Sequence, residues 1–196
     1  MDSGIPVPAM SVQRIHITGG PGAGKTTLAG RLAALTGLPL LEIDGLSLEL
    51  QASMAAPFDL AAFRELRVPL MRELAEREEW VADGSNLEDS LALYERAETI
   101  VYVDCAWRVA SYRILSRHVK ATLRRNNRFP GWLKLYRFWR WSAGYYSGRN
   151  PHAPNVWGTP HTRAYLEERL REYESKLVVC RSNREIEALV RRITNS

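Results

Sequence analysis

The chain has 196 residues, 45% hydrophobic and 25% charged, the balance of a globular protein with length for one full core. Mean hydropathy is −0.28 and no apolar run approaches a membrane span, so an integral membrane protein is excluded and no membrane partner is expected. The net charge of +5 hides an asymmetry: residues 105–166 contain no Asp or Glu, yet carry arginines and lysines from Arg108 to Arg163, Arg128 and Arg149 among them. Such a stretch implies a partner rich in negative charge, phosphates of a small molecule or a nucleic-acid backbone, with a solvated basic face as the plain alternative.

Residues 1–11 lack the basic start and apolar stretch of a secretory signal; they read as a loose tail, with Met10 an alternative start. Cys105 and Cys180 are too far apart in sequence to suggest a disulfide framework or a metal cluster, and fit buried thiols in a reducing cytoplasm. A single domain is expected over 12–196. The β-branched segment 12–18 is a first strand, followed by a glycine cluster and a helix from about 25 to 35 that Gly37 and Pro39 close. Residues 40–43 form a second strand ending in Asp44-Gly45. Leu60, Phe63, Leu66, Leu70 and Leu74 space a helix over 58–77, which Pro69 should kink or divide. Segments 80–82, 99–103 and 176–180 are the remaining strands, the first two followed by Asp83 and Asp104, and a last helix runs from about 184 to 193. An irregular, aromatic insert, the expected lid, covers about 120–160, ahead of a helix near 162–173.

Strands alternating with helices predict an α/β fold, a three-layer arrangement around a five-stranded parallel sheet. Ligands of such sheets sit at the carboxyl ends of the strands, where this chain carries residues 19–26, Asp44, Asp83, Asp104 and Arg181.

Residues 19–26 read G-G-P-G-A-G-K-T, the P-loop pattern, directly after a strand and before a helix. Gly19, Gly20, Pro21, Gly22, Ala23 and Gly24 would wrap backbone N–H groups around the phosphates of ATP, joined by the helix start at Thr27. Lys25 would reach the β- and γ-phosphates, and Thr26 the Mg²⁺. A glycine-rich turn that binds nothing is the bland reading. Asp83 would help hold Mg²⁺, or else cap a turn. Asp44 would accept the proton of an acceptor hydroxyl, or else belong to a structural turn.

The runs R-I-H-I-T-G-G-P-G-A-G-K-T-T-L-A, L-P-L-L-E-I-D, E-E-W-V-A-D-G-S and A-E-T-I-V-Y-V-D resemble small adenylate-kinase-like P-loop kinases, and most nearly their FlaR-like (DNA topology modulation) group. In that group a Trp precedes the third strand and an Asp-Gly pair ends it, as Trp80 and Asp83-Gly84 do here. The resemblance runs from about residue 12 to 193. It implies a core binding ATP with Mg²⁺, an arginine-bearing lid and a polar loop near the base. By position, Arg113 and Arg117 would be the charge-stabilising arginines, and the loop holding Arg181 and Asn183 would border the adenine. The expected acceptor contacts are Arg64, Arg67, Asn86 and Arg137, with the acceptor itself left open.

In the insert, Trp132, Leu135, Tyr136, Trp139 and Ala143 recur at helical spacing, which predicts ordinary helix packing for Trp132, Tyr136 and Trp139. Arginines among aromatics, Trp157 included, could also stack a planar base. Two functions remain: a small-molecule or nucleotide kinase, acting as monomer or homodimer in the cytoplasm, or a nucleic-acid-binding regulatory NTPase that uses residues 105–163. The strand-end carboxylates favour the kinase.

Overall fold

A computed structural model describes residues 12–127, 130–147, 150–152 and 159–195. The expected tail over 1–11, with Met10, and Arg128, Arg149 and Trp157 lie outside the described residues. Five parallel strands, β1 (Arg14–Gly19), β2 (Leu40–Glu42), β3 (Trp80–Asp83), β4 (Thr99–Val103) and β5 (Leu177–Cys180), form one sheet in the order β2-β3-β1-β4-β5. The register pairs Ile17 with Asp83 on one side of β1 and Gly19 with Val103 on the other. The central strand therefore delivers its glycine loop between the ends of β3 and β4, where the crevice of such a sheet lies.

Both faces of the sheet are covered, and the period of two sorts the side chains between them. Ile15, Ile17, Val81, Val101 and Val103 pack beneath α1 (Lys25–Thr36) and α8 (Asn183–Thr194), through Leu28, Leu32, Leu189 and Val190. Trp80, Ala82, Ile100 and Tyr102 face the other way, onto α3 (Leu60–Ala75), α4 (Leu91–Arg96) and α7 (Arg163–Leu170), through Met71, Leu74, Leu93 and Leu170. His16 shares that second face. Its ring lies 4.1 Å from that of Tyr94, and burial pushes its pKa down to about 3.

Several expectations need correction. Residues 43–45, expected as a strand end and turn, instead begin a helix, α2 (Ile43–Ser53). Asp44 thus lies in the first turn of a helix rather than at the end of a strand, because edge strand β2 is only three residues long. Pro69 does not divide α3; it sits inside one helix that runs from Leu60 to Ala75, capped by the Asp59 carboxylate on the N–H groups of Ala61 and Ala62. The insert is also more regular than expected. Residues 132–147 form one helix, α6 (Trp132–Ser147), packed antiparallel on α5 (Trp107–Leu123). Trp107 meets Trp139 at 5.4 Å, His118 meets Trp132 at 5.5 Å, and the Trp139 indole N–H donates to Ser111 Oγ at 2.7 Å. Trp139 packs as predicted, whereas Trp132 and Tyr136 are more than half exposed.

The junction of β3 with α2 is set by one glycine. A Cβ on Gly84 would lie 3.0 Å from Ile43 Cβ and 3.2 Å from its Cγ2, and Ile43 is fully buried, so it has nowhere to move. Gly84→Ala is expected to destabilise the protein by roughly 1–3 kcal/mol, the usual cost of overpacking, lowering the melting midpoint by at least ~2 °C. An unchanged thermal melt would show that α2 is not held by this contact.

Candidate active site

The loop after β1 takes the conformation its glycines permit. Gly19, Gly22 and Gly24 have φ of +146°, +77° and +103°, a region costly for residues with a side chain. The carbonyl oxygens are engaged, that of Gly20 in part by the Ala23 N–H of the loop itself, at 3.2 Å. Lys25 Nζ donates to the Gly20 carbonyl at 3.3 Å, the Tyr146 hydroxyl to that of Pro21 at 3.0 Å, and Arg113 Nη1 to that of Ala23 at 2.5 Å. With the Pro21 and Ala23 carbonyls held by donors on α6 and α5, the loop N–H groups other than that of Ala23, and those of the first turn of α1, where Thr26 and Thr27 stand, can serve an anion. Phosphate groups fit this cradle.

Beside it stands a polar cluster at the end of β3. The Thr26 hydroxyl donates to Asp83 Oδ2 at 2.5 Å, while Asp83 Oδ1 is buried with no hydrogen-bond partner among the described residues. Burial pushes the Asp83 carboxyl above its ordinary range; the Thr26 bond opposes this and the Asp44 carboxylate adds to it. A buried carboxylate oxygen without a partner, next to a threonine hydroxyl, is a donor set suited to a hard divalent cation such as Mg²⁺. Asp44 is exposed at the start of α2 and acts on the same cluster from the open side.

Arg113, on α5, reaches from the Ala23 carbonyl toward Asn183 Oδ1 at 3.5 Å, joining the P-loop to the start of α8. Arg117, one turn further on, is exposed. Arg181 bonds Asp104 Oδ2 at 3.3 Å, and Arg163 reaches the same oxygen at 2.7 Å. Asp104 therefore ties α7 to the loop before α8. Of the expected acceptor contacts, Arg64, Arg67 and Asn86 converge on buried Asp89, at 3.3, 3.3 and 2.7 Å. Arg67 is 2% exposed and also donates to Ser47 and Ser90. It is held inside the protein, while Arg64 keeps part of its surface in solvent. Arg137 does not join them; it is exposed on α6.

Sequence reasoning missed three residues here. The Tyr145 ring lies against the P-loop so closely that a Cβ on Gly20 would fall 2.4 Å from its Cε1. His161 stacks on Trp141, with ring centres 5.1 Å apart and planes 8° from parallel, and its Nε2 is buried without a hydrogen-bond partner among the described residues. Burial lowers its pKa to about 4; the Lys25 charge adds to this and Asp44 opposes it. A neutral imidazole therefore looks onto the Lys25–Asp44 space at neutral pH. Tyr146, the third, is one of many aromatics in the insert, and nothing in its spacing marks it as a P-loop partner.

No protein-family model and no curated protein matches the sequence. Solved structures match the fold. A shikimate kinase from Bacteroides thetaiotaomicron is 20% identical with a TM-score of 0.51, covering 94% of this chain and 97% of its own. A shikimate kinase from Acinetobacter baumannii, in complex with shikimate, is 18% identical with a TM-score of 0.52, covering 93% and 91%. A gluconokinase from Sinorhizobium meliloti 1021 is 16% identical with a TM-score of 0.50, covering 94% and 91%. At these identities the likeness is one of architecture: the chain has the five-stranded parallel fold of small-molecule P-loop kinases.

Asp83 supports a test with two readouts of opposite sign. Its carboxyl titrates higher in the folded protein than in the unfolded chain, so it costs stability progressively as pH rises from the ordinary carboxyl range through the raised value. Asp83→Asn is expected to raise the melting midpoint at pH 7, with the gain vanishing below pH ~3, where both states are protonated. The same variant should weaken the Mg²⁺ dependence of nucleotide binding. A melt lowered at pH 7, or an unchanged Mg²⁺ titration, would return Asp83 to the role of a turn residue.

Proposed function

We propose that the protein is an ATP- and Mg²⁺-dependent phosphotransferase of the FlaR-like branch, acting on a small molecule or nucleotide. The observation that carries this reading is the P-loop with its carbonyls engaged outward, set beside the Thr26–Asp83 pair and facing the exposed Asp44. ATP with Mg²⁺ would supply the transferable phosphoryl group and the charge neutralisation that lets it move.

The chain's own residues would do the rest by position and charge. The loop N–H groups and Lys25 hold the phosphates, while Thr26 and Asp83 hold the cation. Asp44, exposed at the start of α2, orients an acceptor hydroxyl and takes its proton. Arg113 bears on charge developing near Ala23, with Arg117 further out on the same helix face, and Arg181 and Asn183 border the base. Arg64 and Asn86, gathered on Asp89, line the approach behind Asp44, with Arg67 fixing them from inside. Tyr145 and Tyr146 close the site against water, which would otherwise compete as acceptor. The regulatory nucleic-acid reading gains nothing from the carboxylates, which would repel a phosphate backbone.

Screening purified protein with ATP and Mg²⁺ against nucleotides, sugars and hydroxylated small molecules tests the reading directly. Lys25→Ala is expected to lower turnover at least ~100-fold, the cost of losing one preorganised donor to the transition state, and retained turnover would sink the P-loop assignment. The two arginines should differ. Arg113→Ala is expected to lower kcat by ~100-fold, whereas exposed Arg117 should matter less in the same assay. If kcat stays within a factor of about three in Arg113→Ala, the arginine mechanism is wrong and α5 serves only as scaffold.

A further inference from the structure

Helix α5 has two apolar stripes, and only one of them is used. Ala110, Ile114 and His118 face inward and are buried, Ile114 lying beside Gly22 of the P-loop. On the other side Tyr112, Leu115, Val119 and Leu123 follow one another at spacings of three and four, the spacing of a helix face meant to be covered. All four are exposed, Tyr112 to 72% and Leu123 to 77%. Their neighbour α6 repeats the pattern: Trp132, at 67%, and Leu133, at 62%, are exposed with Tyr136.

The antiparallel pairing of the two helices, through Trp107–Trp139 and His118–Trp132, fixes which sides look the same way. Residues of α6 that touch α5, and those buried beneath it (Leu135 and Ser142), leave Leu133 and Tyr136 on the outer side, with Trp132 at the seam, its ring on His118 and still 67% exposed. That is the side on which α5 presents Tyr112 to Leu123. The result is one continuous two-helix face, extending past Ile114 by nine residues of α5, or ~14 Å at 1.5 Å per residue. Lys120 and Arg124 border it on one flank and Arg137 on the other, with Arg140 within it, all exposed. No Asp or Glu occurs anywhere between residues 105 and 166.

We propose that this outer face of the α5–α6 hairpin is a docking surface for an anionic lipid bilayer. The argument is one of complementarity. Trp, Tyr and Leu with an arginine and lysine rim are the composition that settles at the headgroup boundary, the rings and leucines among the acyl chains and the cations on lipid phosphates. A nucleic-acid backbone would engage the cations but has no use for an aliphatic stripe of Leu115, Val119, Leu123 and Leu133. A second copy of the chain would bring the same cationic rim against itself. No helix among the described residues is long and apolar enough to cross a membrane; docking at the surface needs none, and so departs from the expectation of no membrane partner. The proposal is independent of the phosphotransferase reading.

The experiment is co-sedimentation of the full chain with vesicles of phosphatidylcholine containing roughly one part in three of phosphatidylglycerol, beside vesicles of phosphatidylcholine alone. Binding is expected to the anionic vesicles and to be at least ~10-fold weaker to the neutral ones. The pair Leu123→Ser and Leu133→Ser, which keeps every charge, should weaken anionic-vesicle binding by ~10-fold or more; so should Lys120→Ser with Arg124→Ser. Each altered side chain is exposed, so the fold does not depend on it. Absence of binding to anionic vesicles overturns the proposal. So does a serine pair at 123 and 133 that binds as tightly as the parent, because adsorption would then be by charge alone. Vesicle binding absent while that serine pair abolishes a dimer in sedimentation velocity, or retention of a single-stranded oligonucleotide, overturns it in favour of those partners.

Discussion

A loop that binds phosphate through its backbone must turn its carbonyls elsewhere, and that requirement organises much of this molecule. The carbonyls of Gly20, Pro21 and Ala23 are taken by Lys25, Tyr146 and Arg113, three donors from α1, α6 and α5. Each such bond is modest in net energy, yet a buried carbonyl left unpaired is costly. The loop geometry thus depends in part on α5 and α6, whose donors Arg113 and Tyr146 lie 90 and 125 residues beyond the carbonyls they hold, and those helices can be placed only where the sheet holds them. β1 and β4 run in register up to Gly19 and Val103, and a Cβ on Gly19 would fall 2.4 Å from the Val103 carbonyl oxygen. Glycine there permits the close approach that seats the loop over the sheet, as glycine at position 20 permits the approach of Tyr145.

The hairpin of α5 and α6 is built to do this with its inner surface alone. Trp107 packs against both Trp139 and Tyr146, at 5.4 and 5.3 Å, and Tyr146 continues to the Pro21 carbonyl. Aromatic stacking fixes the orientation of the hydroxyl, which a flexible side chain would not do without losing more rotamer freedom. Inner and outer surfaces of the hairpin therefore answer to different demands, and the absence of acidic side chains through 105–166 serves both. It keeps negative charge away from the phosphate cradle and leaves the rim of the outer face cationic.

The layers of the fold were legible because covered parallel strands leave a plain mark: short apolar runs, each followed by a polar or glycine residue. Val81 and Ala82 lie on opposite faces and both are fully buried, which is why alternation of polarity was missing from the sequence and its absence was informative. The P-loop was legible because its chemistry is local. What was not legible depended on tertiary context. Asp44-Gly45 carries a turn signal, yet the three-residue edge strand ends so early that the chain enters a helix there. Pro69 fits within α3, contrary to its local preference, because packing of Phe63, Met71 and Leu74 outweighs the lost bond. Trp132 and Trp139 share one periodicity, but Trp139 finds Trp107 and Ser111 on α5, tertiary partners that the spacing does not show. His161 had no pattern at all; its place comes from a stack on Trp141, 20 residues earlier in the chain.

Asp83 shows why the site end of the sheet is less settled than the core beneath it. Strand β3 carries Trp80, Val81 and Ala82 into full burial, and the same register carries the next residue in with them. A carboxylate so placed loses hydration and recovers one hydrogen bond, from Thr26, while Asp44 and Glu42 add repulsion and Lys25 returns part of it. An apolar residue or an asparagine at this position would relieve the cost without disturbing the strand. Stability alone therefore does not account for an aspartate at the end of β3. A cation reaching Oδ1 would offset that cost beyond what Thr26 and Lys25 return, and the N–H groups of the loop beside it suit an anion. The magnesium nucleotide proposed above would meet both demands at once, its cation at Asp83 and its phosphates at the loop.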